Sequence, residues 1–141
     1  AHIGMAKLRG VSLQIHERGA HADVVETLLR NGAPERTVFH CFSGDAELAR
    51  LCASHGWYLS FSGTVTFKNA PAIREALRVA PADHILVETD APFLTPHPLR
   101  GRPNAPYLVP VTLRSMAQTR RVPVADLARH IAAHNHDVYR C

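Results

Sequence analysis

The sequence predicts an α/β fold: parallel βαβ units that make up roughly the C-terminal half of an eight-stranded, TIM-type (β/α)8 barrel. Two observations carry this. Short aliphatic runs alternate with stretches of helical spacing along the whole chain, the pattern of a parallel sheet with crossover helices. The 141 residues are enough for one domain with a real core, taken as residues 1–141. They are too few for a complete barrel, whose usual length is about 250 residues.

The elements follow in order. Ile3, Met5, Ala6 and Leu8 are spaced as the end of a helix, which Gly10 stops. Val11 to Ile15 reads as a buried strand ending at His16. Val24, Val25, Leu28 and Leu29 then mark a helix over Ala22 to Asn31, closed by Gly32. Thr37 to Cys41 is the second strand, Phe42-Ser43-Gly44 a turn, and Asp45 the cap of a helix with Leu48, Ala49, Leu51 and Cys52 inward. Trp57 to Phe61 is the third strand, followed by a turn at Ser62-Gly63 and a helix near Pro71 to Leu77. His84 to Glu88 is the fourth. A long Pro-rich loop, Thr89 to Asn104, leads to helices around Val109 to Ala117 and Val124 to Ala133.

Composition narrows the class only a little. The formal charge is +4, which favours polyanionic partners without requiring them. Cys41, Cys52 and Cys141 form no CxxC pair, so neither a structural zinc site nor a disulfide-linked partner is expected, and a reducing, cytoplasmic setting is the simplest reading. No apolar run is long enough to span a bilayer. Ala1 opens inside an amphipathic helix with no initiating Met, so a fragment or domain cut is expected.

The right-handed crossover rule sets the C-terminal ends of parallel strands on one edge of the sheet, where ligands and catalytic groups gather. His16, His40 and Asp90 each sit where a predicted strand ends and its loop begins. Two imidazoles and a carboxylate suit zinc or another borderline divalent ion. Taken singly, each has a plainer role: a histidine at a strand end is commonly a hydrogen-bonded structural residue, and Asp90 suits the turn before Pro92. Their recurrence at three strand ends favours a metal site. Glu88, two residues before Asp90, faces the same side from deeper in the strand and is expected to orient a ligand. Of the remaining histidines, only His97, in the loop after Asp90, is placed to approach a phosphate, though a surface role is the plainer one.

The stretches VFHCFSG (38–44) and VETDAPFL (87–94), with Arg100-Gly101 and Asn104-Ala105-Pro106 downstream, resemble the signatures of the TatD family of metal-dependent DNases. Ile15-His16-Glu17-Arg18 is similar to the His-containing strand end that precedes them. The likeness spans essentially the whole chain in the right order. It implies a barrel that hydrolyses DNA phosphodiesters, typically at strand ends, with one or two divalent ions (Mg, Mn or Zn). His16, His40 and Asp90 fall on the metal-binding positions, Asp90 also acting on the nucleophilic water as the catalytic residue. Arg18, Arg100, Arg102 and Asn104 are the candidates to steady the phosphate.

The sequence departs from the family pattern in lacking the His-x-His of a first strand and the Glu of a fourth. Only part of the expected ligand set is present, so little activity and some self-association through unpaired sheet edges are expected of this chain alone. Two other readings remain: a metal-dependent amidohydrolase or lactonase on a similar barrel, and a catalytically incomplete fragment that binds nucleic acid.

Overall fold

The computed structural model describes residues 1–140. Cys141, one of the three cysteines in the pairing expectation, lies outside them; Cys41 and Cys52 are free thiols.

Four short strands form one sheet, β1 (Leu13–Ile15), β2 (Thr37–Phe39), β3 (Tyr58–Phe61) and β4 (Ile85–Val87), in the order β1-β2-β3-β4 with every pair parallel. The helices are α1 (His2–Arg9), α2 (His21–Asn31), α3 (Ala46–Ser54), α4 (Pro71–Val79), α5 (Val109–Arg120) and α6 (Val124–Tyr139). This is the α/β architecture of a partial (β/α) barrel. Within the described residues β1 and β4 are its two edges.

Local chemistry places the boundaries. Gly10 takes the left-handed conformation (φ 60°), and its N–H caps α1 by donating to the carbonyls of Ala6 and Lys7. Asp45 caps α3 through a 3.0 Å bond from Leu48 N–H, as its position suggests. Pro71 starts α4, where its missing N–H costs nothing. The strands are shorter than the aliphatic runs that announce them: His40 and Cys41 already lie in the turn after β2, and Ala82–His84 is a 3-10 turn rather than the start of β4. Two further 3-10 turns, Gly63–Thr66 and Pro106–Leu108, carry no periodicity that a sequence reading could use. Helices α4, α5 and α6 run past their expected ends.

Strand alternation separates two faces. Phe39, Leu59 and Ile85 are in register and fully buried in the main core beneath the helices, together with Phe61, Leu77 and Met116. The opposite face carries Val38, Tyr58 and Leu86 at its lower end, closed by Val138 of α6. One alternation further along the chain, the same face presents His16, His40, Ser60 and Glu88. The sheet therefore turns its apolar side to the helices and its upper inner side to chemistry.

Candidate functional site

The inner, C-terminal end of the sheet gathers His16, His40, Ser60, Glu88 and Asp90 from the ends of its four strands. Ser60 Oγ on β3 donates a 2.6 Å hydrogen bond to Glu88 Oε2. Glu88 Oε1 lies 2.8 Å from His40 Nδ1, and this buried oxygen has no hydrogen bond. The other ring nitrogen of His40, Nε2, lies 3.4 Å from Asp90 Oδ1. The His16 and His40 rings have their centroids 5.9 Å apart. His40 thus stands between two carboxylates, one deep and one nearer solvent.

Asp90 sits on backbone held at φ 57°, and Cys41 and Leu94 near it are also left-handed, at 46° and 56°. Non-glycine residues in this region are uncommon and carry strain, which concentrates where a structure must aim a side chain. The Cys41 thiol is half-buried, with its Sγ 3.2 Å from Ser62 Oγ. Burial pushes its pKa up; the Ser62 contact opposes this, and the negative fields of Glu88 and Asp90 reinforce it. It is therefore held as a neutral thiol and is a poor nucleophile.

Beside these groups opens a cavity of about 470 Å³. His16, Arg18, Ser43, Asp90 and Phe93 line it. Glu17 also lines it, with its side chain only 4% exposed because it bridges two loops: it accepts from Ser43 Oγ at 3.0 Å and lies 2.8 Å from His21 Nε2. The loop after β1 is thereby tied to the loop after β2. Nothing in the residue pattern announces this tie beyond the adjacency of Glu17 to His16.

Of the residues singled out from sequence, His16, Arg18, His40 and Asp90 meet at this end of the sheet. Glu88 joins them, whereas Arg100, Arg102 and Asn104 do not. Arg100 lays its guanidinium 3.8 Å from the centroid of the Phe67 ring. Arg102 is exposed, and its carbonyl accepts from Thr95 Oγ1. Asn104 is 6% exposed; its Nδ2 donates to the carbonyls of Thr89 at 2.8 Å and Phe93 at 2.7 Å. With both amide hydrogens committed, Asn104 fastens the loop around Asp90 and has none left for a phosphate, unlike the role expected of it.

The donor chemistry fits a divalent cation: imidazole nitrogens and carboxylate oxygens, with one buried Glu88 oxygen lacking a hydrogen bond. The spacing supplies less. Among the described residues no three His, Cys, Asp or Glu side chains stand together as a ready cluster, and His40 meets Asp90 directly. The chain offers part of a ligand set.

The chain is thus a parallel half-barrel with imidazole and carboxylate groups at its strand C-termini. The sequence profile of the family described as TatD related DNase matches residues 1–140, and the chain belongs to that family. It is 51% identical over 117 residues to an uncharacterized metal-dependent hydrolase, TatD, of Mycobacterium tuberculosis, covering 83% of this chain and 44% of the relative. It is 42% identical over 127 residues to the uncharacterized metal-dependent hydrolase YabD of Bacillus subtilis, covering 89% and 50%. The crystal structure of the TatD homolog YjjV from Escherichia coli superposes with a TM-score of 0.92 at 25% identity, covering 99% of this chain and 54% of that one. The chain spans about half the length of the relatives it matches. Among the described residues, no helix is long and apolar enough to cross a membrane.

Proposed function

We propose that the protein carrying this chain is a metal-dependent phosphodiesterase that cleaves DNA, and that this chain supplies His16, His40 and Asp90 to its metal site. The observation that carries the reading is the His40 ring set between Glu88 and Asp90 at the strand ends of a TatD-family half-barrel.

Hydrolysis of a phosphodiester needs a deprotonated water and compensation for charge building on the phosphoryl oxygens. A bound divalent ion supplies Lewis acidity for both needs. The chain's own groups do the rest. Asp90, nearer solvent than Glu88 and lining the cavity, accepts the proton of the attacking water. Glu88, itself held by Ser60, sets a carboxylate oxygen 2.8 Å from the inner nitrogen of the His40 ring, where a hydrogen bond formed on metal binding would orient the imidazole. Arg18, exposed on the cavity wall, meets the phosphate as a fixed positive charge. Arg100 and Arg102 are left as outer contacts for longer substrate.

The test is release of nucleotides from DNA ends by the full-length protein with magnesium, manganese or zinc. Asp90→Ala and His40→Ala are expected to abolish it. Turnover that survives Asp90→Ala would overturn the assignment, and cleavage of amides or lactones with none of DNA would overturn the substrate class.

A further inference from the structure

On the outer side of the half-barrel, α4 and α5 and the Gly63–Thr66 turn enclose a second feature that the catalytic reading leaves unused. Two depressions of about 450 and 380 Å³ share Thr66, Ser115 and Gln118, and so form one continuous groove. Its walls carry Lys68, Arg74, Arg78, Arg114 and Arg121, with His97 at one end, and no acidic residue lines it.

The basic groups are arranged by helix geometry. Arg114, Gln118 and Arg121 recur three to four residues apart, along one face of α5 and its C-terminal cap. Arg74 and Arg78 do the same on α4. Arg74 is fixed in place: its guanidinium donates to the carbonyls of Phe67 at 2.5 Å, Val65 at 3.3 Å and Lys68 at 3.4 Å, so its charge forms part of a rigid floor. Arg78 lies 2.7 Å from Glu75. Lys68, Arg114 and Arg121 are exposed, and their side chains make no hydrogen bond or salt bridge among the described residues. At 1.5 Å rise per residue, Arg114 and Arg121 stand roughly 10 Å apart along the helix. An extended strand carries more than one phosphate over that span, and the neutral donors Ser115, Gln118 and Thr119 lie between the two arginines.

The groove lies next to the site, across a narrow ridge. Thr64 and Ile73 line the cavity beside Asp90, whereas Thr66 and Arg74 line the groove. Leu94 faces the cavity and His97 the groove. The ridge between them is one 3-10 turn and one loop, pinned by a 2.8 Å bond from His97 N–H to Thr66 Oγ1.

We propose that this groove holds the phosphodiester backbone of a DNA strand beyond the bond being cut, so that the strand crosses the ridge and runs along α5. The proposal rests on the phosphodiesterase reading for its choice of polyanion, but its test does not need turnover. Full-length protein silenced by Asp90→Asn is titrated with a long single-stranded DNA across a range of salt, with and without Arg114→Ala/Arg121→Ala. The double variant is expected to bind more weakly and to flatten the slope of log affinity against log salt by about 1.4, or about 0.7 for each phosphate that is no longer neutralised. Arg114→Lys/Arg121→Lys should restore most of the slope, which a loss through misfolding would not allow. In the catalytically intact background, hydrolysis of the small diester bis(p-nitrophenyl) phosphate should be unchanged by the alanine pair. An unaltered salt slope, or an equal loss on the small diester, would overturn the groove. If neither DNA nor the small diester is cleaved but the slope still falls, the phosphodiesterase reading fails and the groove stands.

Discussion

Glu88 Oε1 lies 2.8 Å from His40 Nδ1, a carboxylate set beneath an imidazole whose outer nitrogen faces Asp90. A carboxylate that takes up the second ring N–H of a metal-binding histidine orients the ring and raises its basicity, and removing it typically costs about 10- to 100-fold in affinity or activity. Glu88→Gln is therefore expected to lower metal affinity and kcat/KM by that range while the melting temperature moves little. Metal titration of the full-length protein beside its thermal unfolding checks this. A drop in melting temperature with metal affinity intact would make Glu88 structural.

Gly63 marks where the turn after β3 meets the loop after β4. A Cβ there would stand 2.0 Å from the Leu94 carbonyl oxygen and 3.0 Å from Pro96 N, both backbone atoms that cannot rotate away. Gly63→Ala should destabilise the fold by about 1–3 kcal/mol, the usual cost of overpacking. Because the displaced loop also carries Asp90, activity should fall further than stability predicts. Chemical denaturation and turnover on the same preparation separate the two effects.

Phe93 is 69% exposed and lines the cavity wall beside Asp90. If the substrate is DNA, an aromatic ring left in solvent at the mouth of the cavity can stack on a terminal base, a contact worth about 1–3 kcal/mol by alanine substitution. Phe93→Ala is expected to raise KM for DNA about tenfold or more with a smaller change in kcat. The same change on a small diester with no base should be slight. Steady-state kinetics on both substrates is the measurement.

Burial holds the Cys52 thiol neutral, pushing its pKa from 9.0 to about 12. A folded-state pKa above the unfolded value means that the fold favours the protonated thiol. That stability is whole below pH 9.0 and is lost as the pH climbs through the window up to about 12. The urea midpoint should fall across this window, and less steeply in Cys52→Ala, although that variant starts lower because of the cavity it leaves. Identical alkaline slopes in the two proteins would contradict the assignment.

Much of the fold and the inner part of the site can be read in the chain because both follow from periodicity. Val38-Phe39-His40 announces a buried strand with a polar end, and Glu88 and Asp90, two apart, announce a shared side. What stays hidden depends on contacts across loops. Asn104 resembles a free amide in a solvated turn, and only the folded path of residues 89–104 brings it under the carbonyls of Thr89 and Phe93. Nothing in the sequence pairs Arg100 with Phe67, over whose ring its guanidinium lies. The end of the second strand is also overstated by the sequence: His40 N–H still donates to the Ile15 carbonyl, but His40 and Cys41 have already turned.

The identity of sheet order and chain order has a kinetic meaning. Leu13 pairs with Thr37, Val38 with Tyr58 and Leu59 with Ile85, so each ladder closes between strands 20 to 26 residues apart. No strand waits for a distant partner within this chain. Loop-closure entropy rises by only about 0.6 kcal/mol for each doubling of length, so each of these closures costs nearly the same. The units can therefore assemble one after another as the polypeptide emerges, with each completed strand acting as the template for the next. The last to arrive, β4 and its loop, brings Glu88 and Asp90 to a His40 already in place.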